Sequence, residues 1–345
     1  VTMAREKARA PQGGGSARPG KKAEQLPPDV HELFESLDPD GQKQAIGLLK
    51  REAQSSDQRE LAALIQIWLP ELEGHRDIGQ VKEDKDKGLY PYQQHKGDLF
   101  VDGVKPDDVM QGQIGDCYLA AAMAAVAASS PKAIEDAFTP VGKDVWSVRL
   151  YRKDYSGGFK AEKVVVDSDL PTRGTLNPAR PWRSVGGPAY GMGTTVNEKG
   201  RELWPSMLEK AFAKWKGSYE DIGQGGMPGA VMEAILGKEA DSTYASWTRE
   251  DEVWKAITSV PKGRPMSAYT RSDDKPYEQK KDKVVGCHAY TVLGGEEKAG
   301  QKIVKVRNPW GSSGEVFCNG RMIYGAEFEI SLAEFLRLFE GWDRV

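Results

Sequence analysis

The chain has 345 residues and a formal net charge of −3, which is enough length for two or three domains with apolar cores. This near balance of charge excludes a general electrostatic attraction to nucleic acid or to an anionic membrane. The longest strictly apolar run, Tyr118–Ala128, is far shorter than the ~20 residues that a membrane-spanning helix needs.

The first segments of the chain are polar and helical. Residues 1–25 are rich in Gly, Pro, Ala and basic groups, which predicts a disordered basic tail. Residues 26–75 carry apolar side chains at helical spacing, which predicts a small helical module that packs on the rest of the chain or on a partner protein. The lysine-rich residues 76–95 are interpreted as a linker.

From residue 96 onward the pattern becomes that of a larger folded unit. The alanine-rich stretch after Cys117 predicts a buried helix, and "ELWPSMLEKAFAKWKGS" predicts an amphipathic helix that ends near Gly217. Between them, "DVWSVRLYRK" and "KAEKVVVDSDLP" predict two strands. We therefore assign residues 96–224 to a mainly helical subdomain.

A glycine-rich break, "GQGGMPG", precedes a second region dominated by strand patterns. These patterns are "RPMSAYT", "CHAYTVLGG", "KIVKVRNPW" and "FEISLAEFLRLF". Residues 225–345 are therefore predicted to form a β-rich subdomain. The fold class expected from the whole order is α+β, with a helical half and a sheet half.

Cysteine usage gives the first indication of chemistry. The three cysteines, Cys117, Cys287 and Cys318, are odd in number and widely spaced, which argues against a disulfide framework or a zinc site. No signal-peptide pattern is visible at the N-terminus. A reducing, cytoplasmic location is the expectation.

Cys117 follows Asp116, a residue type that favours the N-cap of a helix. In the first helical turn the free backbone N–H groups favour an anion, so we expect the pKa of the Cys117 thiol to be lowered. The alternative is that Cys117 is simply a small buried residue on an apolar helix. Cys287 is expected to be a buried core thiol, because side chains alternate along a strand and Cys287 would face away from His288.

His288, Asn308 and Gln111 complete a candidate catalytic constellation. The amide of Asn308 would accept a hydrogen bond from the ring of His288 and fix its tautomer, and Trp310 would shield that bond from water. Gln111 would supply a side-chain donor that acts with the Cys117 backbone N–H as an oxyanion hole. The alternatives are an ordinary turn at "NP" and a solvated loop residue at Gln111.

Three blocks, "QGQIGDCYLAA", "GCHAYTVLG" and "VRNPWG", resemble in this order the catalytic blocks of the calpain family of papain-fold cysteine proteases. The resemblance covers about residues 96–345. It implies a papain-like two-subdomain core preceded by the helical module, and an endopeptidase that acts on protein or peptide substrates. By the same resemblance Cys117 is the nucleophile, His288 the general base and acid, Asn308 the orienting residue and Gln111 the oxyanion donor.

The resemblance also implies calcium, with departures. A first calcium site matches at Val101, Gly103 and Asp108, with Glu202 as the carboxylate from a second loop. The stretch after "NPWG" is poor in acids, so we expect one calcium site at most, and no EF-hand loop is present. The chemistry itself needs no cofactor. The family has Trp directly after the nucleophile, whereas this chain has Tyr118.

Two other functions stay open at this point. Transglutaminases use a related Cys–His core for acyl transfer, although they usually orient the His with Asp rather than with an amide. A catalytically degenerate scaffold that binds partners is the non-enzymatic alternative. The helical module is a candidate pro-region or regulatory domain that covers the cleft and is released by autoprocessing in the linker.

Overall fold

The computed structural model describes residues 26–55, 59–74, 78, 90–142, 144–174, 187–272, 284–311, 316–318 and 321–345. The predicted tail at 1–25 and most of the predicted linker lie outside these residues. Within them the chain is a mixed helix and strand protein with an N-terminal group of helices, which confirms the expected α+β class.

The N-terminal helices pack into a small core of their own. They are α1 (Pro28–Glu35), α2 (Pro39–Ser55) and α3 (Arg59–Gly74). Leu61, Ile65 and Trp68 are buried in this core. The helix α3 also packs against neighbouring strands, and Gly74 lies so close to Val145 that an added Cβ would meet its side chain at 2.5 Å.

The next part of the chain carries Cys117. Its strands are β1 (Tyr92–Gln94), β2 (Val109–Met110), β3 (Phe138–Gly142), β4 (Val145–Lys153), β5 (Phe159–Asp167), β6 (Asp169–Arg173), β7 (Gly187–Pro188), β8 (Met192–Gly193), β9 (Val196–Asn197) and β10 (Gly200–Arg201). Its helices are α4 (Cys117–Ser129), α5 (Pro131–Glu135), α6 (Trp204–Lys216), α7 (Tyr219–Ile222) and α8 (Pro228–Leu236). The strands β3, β4 and β5 form an antiparallel sheet, which lies against α3.

The helix α4 is the spine of this half. Its alanines have no side chain beyond Cβ, so neighbouring elements approach its backbone closely, and Tyr118 to Ala127 are all buried. Neither α4 nor any other described helix combines the length and the apolar character that crossing a lipid bilayer requires.

The last part of the chain is built on a six-stranded antiparallel sheet in the order β11–β18–β12–β13–β14–β17. Its strands are β11 (Asp241–Tyr244), β12 (Met266–Thr270), β13 (Ala289–Lys298), β14 (Gln301–Arg307), β15 (Val316–Cys318), β16 (Arg321–Ile323), β17 (Glu327–Ser331) and β18 (Phe339–Arg344). Its helices are α9 (Glu250–Ile257) and α10 (Leu332–Leu338).

One strand prediction in this half is wrong in part. The segment "FEISLAEFLRLF" was expected to be extended, but only its first residues form β17 and the rest forms α10. Ser331 caps this helix, because its hydroxyl accepts from the N–H of Glu334 at 3.2 Å while the Glu334 carboxyl accepts from the Ser331 N–H at 2.6 Å.

Hydrogen bonds join the two halves along their shared face. Thr291 Oγ1 on β13 donates to the carbonyl of Ala121 on α4 at 2.8 Å. Arg307 Nη2 at the end of β14 donates to the carbonyl of Val109 at 2.5 Å. Gly229 N–H in α8 donates to Asp343 Oδ2 of β18 at 2.7 Å. These bonds hold the end of β14 and the start of α4 in one place.

Candidate active site

A cavity of about 850 Å³ lies between the two halves and contains most of the predicted catalytic residues. Cys117, His288, Gln111 and Trp310 all line it. Asn308 lies behind His288 and is 1% exposed. The structure therefore brings together residues that are distant in sequence: Gln111 and Asn308 are 197 positions apart.

The ring of His288 is held by Asn308. Nε2 of His288 lies 3.0 Å from Oδ1 of Asn308, and the same oxygen accepts from the Trp310 N–H at 3.1 Å. An amide oxygen only accepts, so Nε2 carries the proton and Nδ1 is left as an acceptor. The Trp310 ring lies 4.9 Å from the imidazole, centroid to centroid, and is 38% exposed, so it covers His288 from the solvent side.

Cys117 is the first residue of α4 and is half-buried, with its sulfur beside the backbone N–H groups of Ala289 and Tyr118. Burial raises the pKa of the Cys117 thiol, and the negative charge of Asp116 adds to this, while the N–H group of Ala289 lowers it. The expectation of a lowered thiol pKa is therefore wrong for the site without substrate, because loss of hydration outweighs the helix N-terminus.

The same burial acts on the histidine. It lowers the pKa of His288, and the hydrogen bond to Asn308 opposes this effect. Both shifts favour a neutral thiol beside a neutral imidazole.

Asp116 occupies the N-cap position of α4, but its side chain does not cap the helix. The carboxyl is 1% exposed and lies against Glu209 of α6, which is 2% exposed. Glu209 Oε1 accepts from the N–H of Gly191 at 2.6 Å. Burial raises the pKa of Asp116 to about 6 and raises the pKa of Glu209 well above its ordinary value, so the pair shares a proton near neutral pH.

Sequence reasoning missed Glu209. The only local signal is the pair of charged residues "EK" inside an otherwise apolar stretch of α6, which we interpreted as the polar face of an amphipathic helix. Both Glu209 and Lys210 are buried. Their partners, Asp116 and Asp167, come from other parts of the chain, so no local pattern predicts these pairs.

Gln111 lines the same cavity as His288. Its Nε2 donates to the carbonyl of Ile114 at 2.8 Å, and its backbone N–H donates to the carbonyl of Pro309 at 2.8 Å. The Gln111 amide also lies within hydrogen-bond reach of the Asp116 carboxyl and lowers the pKa of that group, so its second hydrogen faces either Asp116 or a ligand. The bond to Pro309 ties the Gln111 loop to the residue that follows Asn308.

Cys287 is exposed and lines the cavity, so its prediction as a buried core thiol is wrong. Its backbone has φ +50°, a left-handed conformation, and its N–H donates to the carbonyl of Arg271 at 2.7 Å. Regular strand geometry begins only at Ala289. The alternation of side chains therefore does not extend to Cys287 and His288, which both contribute to the cavity wall.

Tyr118, which stands where the family would have Trp, is 6% exposed and packs under the cavity. Its hydroxyl donates to the carbonyl of Ile222 at 3.1 Å. A Cβ added to Gly226 would meet the Tyr118 ring at 2.6 Å, so the glycine permits a close approach of this wall. The ring therefore ties the helix that begins at Cys117 to the glycine-rich segment.

The predicted calcium ligands lie together at the edge of the Cys117 half. The N–H of Val101 donates to Glu202 Oε1 at 2.6 Å, and the Asp108 carboxyl accepts from the N–H of Lys105 at 2.7 Å. Gly103 has φ +82° and forms the left-handed turn between them. Burial raises the pKa of Glu202 to about 8, and the negative charge of Asp108 adds to this.

The donor set is the kind that calcium prefers. Glu202 Oε2 is buried and makes no hydrogen bond to any described residue, and Asp108 is 2% exposed. Within the described ranges, no three His, Cys, Asp or Glu side chains group at metal-binding distance, so a cation here would also need backbone carbonyls. Carboxylates with loop carbonyls fit Ca²⁺ rather than zinc.

Comparison with known proteins gives one consistent result. Residues 87–320 match the model of the "Calpain family cysteine protease". The chain is 31% identical over 230 residues to "Calpain-type cysteine protease DEK1" of Zea mays, covering 64% of this chain and 10% of that protein. It is 27% identical over 273 residues to "Calpain-8" of Rattus norvegicus, covering 70% of this chain and 33% of that protein.

A third relative is "Calpain-2 catalytic subunit" of Gallus gallus, at 30% identity over 225 residues, or 61% of this chain and 28% of the relative. The chain thus spans between a tenth and a third of the length of the curated relatives it matches. The matched region contains Cys117, His288 and Asn308, and the mixed helix and strand architecture around them is that of a papain-like protease core. The chain belongs to the calpain family of cysteine proteases.

Proposed function

We propose that this protein is a cysteine endopeptidase in which Cys117 attacks the peptide bond, His288 moves the proton, Asn308 orients His288 and Gln111 stabilises the oxyanion. The observation that carries the proposal is the hydrogen bond between His288 Nε2 and Asn308 Oδ1 at 3.0 Å, in a cavity that Cys117 also lines. This arrangement places an acceptor nitrogen on the side of the imidazole away from Asn308.

The proposed reaction begins from a neutral pair. Burial raises the pKa of Cys117 and lowers that of His288, so the proton stays on sulfur until substrate binds. Nδ1 of His288 then takes the thiol proton as the sulfur attacks the carbonyl carbon. His288 gives the proton to the leaving amine, the C–N bond breaks and a thioester remains. A water molecule activated by the same nitrogen hydrolyses the thioester.

Negative charge on the substrate oxygen needs donors near the nucleophile. The backbone N–H of Cys117 lies at the start of α4, where the first N–H groups of a helix have no intrahelical acceptor. The Gln111 amide is the proposed second donor, with the N–H that is not bonded to Ile114 turning from the Asp116 carboxyl to the substrate oxygen. Loss of one oxyanion donor typically lowers kcat by about 10²–10³-fold.

The shape of the cavity supports an extended protein segment as substrate. One wall is the backbone of residues 223–228, where three glycines allow close approach of a chain, and the other contains Tyr269, Thr270 and Ser272. A cavity of about 850 Å³ accommodates several residues of an unfolded segment. Proteins or peptides are therefore the proposed substrates.

The test compares the wild type with Cys117→Ala and His288→Ala for casein cleavage and for labelling by iodoacetamide. We expect both variants to lose cleavage, and Cys117→Ala to lose the label at that peptide in a tryptic map. Cleavage by Cys117→Ala would overturn the proposal. Labelling without cleavage in the wild type, under all conditions, would instead favour the degenerate scaffold.

Among the described residues that line the cavity, none favours acyl transfer to an amine. The partner of His288 is an amide, Asn308, and not a carboxylate, which supports hydrolysis over a transglutaminase-like reaction. Adding a primary amine to the casein assay checks this directly, because incorporation of the amine would reveal transfer.

We also propose one calcium site, held by Asp108 and Glu202 together with carbonyls of the Val101–Gly103 turn. The support is the buried, unsatisfied Glu202 Oε2 beside the Asp108 carboxyl. A bound cation would supply the positive charge that these carboxyls lack. Isothermal titration with Ca²⁺ is expected to show one site, and Glu202→Gln is expected to abolish it. Full cleavage activity in excess chelator would remove calcium from the catalytic requirement.

The N-terminal helices are proposed to support the Cys117 half and not to block the cleft. Among the described residues, the cavity is lined only from Gln111 onward, whereas α3 packs on β4 and β5 at the outer side of that half. Lys214 Nζ bonds to the carbonyl of Glu73 and, at 2.7 Å, to the carbonyl of Val165. A chain truncated to begin at residue 90 is therefore expected to lose stability and to gain no activity. A gain in peptide hydrolysis would restore the pro-region and autoprocessing hypothesis.

The expected cytoplasmic location stays a proposal. Its support is that Cys117 and Cys287 are both free thiols, which a reducing compartment preserves. Fractionation of cells that express the full-length protein tests it.

A further inference from the structure

Cys287 is a second thiol in the cleft, and the proposed reaction does not use it. The residue immediately precedes His288, is exposed and lines the same cavity as Cys117. Only these two cysteines have described side chains, so the comparison of reactivity within the structure is between them.

The local backbone explains why this thiol faces the cleft. Cys287 has φ +50°, which residues other than Gly, Asn, Asp and His rarely adopt. The conformation is supported by the hydrogen bond from its N–H to the carbonyl of Arg271. The residue lies just outside the regular strand β13, which begins at Ala289.

The two sulfurs belong to neighbouring parts of the cavity wall. The Cys117 sulfur lies beside the N–H of Ala289, only two residues after Cys287. One intervening residue separates that nitrogen from the Cys287 Cα by about 5–6 Å. In agreement, a negative charge on Cys287 raises the pKa of Cys117.

We propose that Cys287 is a resolving cysteine that forms a reversible disulfide with Cys117 when the cleft meets a peroxide. The inference rests on the proposed function for its effect on activity, because the bond would consume the nucleophile. Formation of the disulfide itself depends only on the placement of the two thiols.

The chemistry balances with hydrogen peroxide as oxidant. Nδ1 of His288 takes the proton of the Cys117 thiol as the sulfur attacks one peroxide oxygen; the O–O bond breaks, and the leaving hydroxide takes that proton to become water as the sulfur becomes a sulfenic acid. The Cys287 thiolate then attacks that sulfur, the S–O bond breaks, and the departing hydroxide takes a proton to become water. Two thiols and one peroxide thus give one disulfide and two waters. A dithiol returns two electrons and two protons and restores both thiols.

The bond sets one geometric condition. The Cα atoms of the two cysteines must come within about 7 Å, with Cβ atoms that face each other. The proposal requires that rotation about the Cys287 side-chain torsion, or a shift of the segment before β13, allows this approach. The sulfenic acid on Cys117 persists until this approach occurs.

The test uses the whole chain and three proteins: wild type, Cys287→Ser and, as a matched control, Cys318→Ser. Each is treated with hydrogen peroxide in stoichiometric amounts, with and without dimedone, which traps sulfenic acids. Non-reducing tryptic maps by mass spectrometry then locate the linked peptides. We expect a Cys117–Cys287 linkage in the wild type and in Cys318→Ser, and little dimedone adduct at Cys117 in either.

Cys287→Ser is expected to show no linkage, more dimedone adduct at Cys117 and, at longer exposure, sulfinic acid. Its cleavage activity would then fail to return with dithiothreitol, while the wild type recovers. Absence of the Cys117–Cys287 linkage in oxidised wild type overturns the inference, whether or not the protein cleaves casein. A linkage in a chain that never cleaves casein would retain the inference and reject the proposed function, so the two failures are distinguishable.

Discussion

Nε2 of the His288 imidazole lies 3.0 Å from the amide oxygen of Asn308, and Asn308 is only 1% exposed. The Asn308 oxygen is itself held by the Trp310 N–H at 3.1 Å. Because the Asn308 oxygen can only accept, Nε2 of His288 carries the ring proton, and Nδ1 can accept from a neighbouring donor. In the proposed mechanism Asn308 is a positioning residue, and its loss has a specific signature.

Asn308→Ala is expected to lower kcat at least about tenfold, because an oriented general base contributes about 10²–10⁴-fold and the variant loses only its orientation. KM should change little, since buried Asn308 does not face the cavity. The hydrogen bond to Asn308 raises the pKa of His288, so that pKa should fall further in the variant. Peptide hydrolysis measured across pH checks both effects. Unchanged kcat with normal Cys117 labelling would contradict the assignment.

Asp116→Asn tests the effect of the Asp116 charge on the Cys117 thiol. The negative charge of Asp116 raises the pKa of Cys117, so the variant should alkylate Cys117 with a midpoint at lower pH than the wild type. Glu209 is the matched control, because its pKa is raised and Glu209→Gln imitates the protonated form. Iodoacetamide rates at Cys117 as a function of pH give the measurement. A shift in Glu209→Gln equal to that in Asp116→Asn would mean that packing, not charge, controls the thiol.

Because of the buried side chain of His95, we expect the folding stability of the protein to fall in mild acid. It is 6% exposed, its Nε2 lies 2.8 Å from Thr172 Oγ1, and that hydroxyl donates to Leu170, so His95 donates as the neutral ring. Burial lowers its pKa from 6.5 to about 4, helped by the nearby cations Arg201 and Lys210. Above pH 6.5 folded and unfolded states are both neutral at this group, and it contributes no pH dependence.

Between pH 6.5 and about 4 the unfolded chain binds a proton that the folded chain does not, so stability falls as pH falls. The full difference is on the order of 3 kcal/mol. His95→Gln keeps a donor for Thr172 but does not titrate, so its free energy of unfolding in urea should fall less over this range. Parallel pH profiles of the two proteins would contradict the prediction.

Lys210→Met should destabilise the protein by about 3–5 kcal/mol, because it removes the buried cation that neutralises Asp167. Lys210 Nζ lies 2.5 Å from Asp167 Oδ1, with side chains 1% and 3% exposed. The control is Lys298→Met, which breaks the exposed pair with Glu329 at 2.7 Å and should cost at most about 1 kcal/mol. Urea unfolding of both variants is the measurement. Equal losses of unfolding free energy in the two variants would show that burial does not make the Lys210–Asp167 pair more important for stability.

Much of this fold is visible in local patterns. The strands β4 and β5 follow from alternation and β-branched residues, and α6 from its amphipathic spacing, because each depends on residues that are near neighbours in the chain. The helix α10 was not predicted, because the strand pattern of β17 runs directly into its first residues. Ser331 ends the strand and caps the helix. A side-chain cap of this kind decides between two structures that the apolar residues allow equally.

The sequence by itself determined the family blocks around Cys117, His288 and Asn308, since residue types and their order are written in the chain. Only the tertiary structure decided how those residues are tuned. Burial raises the pKa of the Cys117 thiol. The Asp116 side chain, which was expected to cap a helix, contacts Glu209 instead. Cys287 has a left-handed backbone conformation and lines the cleft. Each of these features depends on desolvation or on contact between segments distant in sequence, and both are set by how the chain packs.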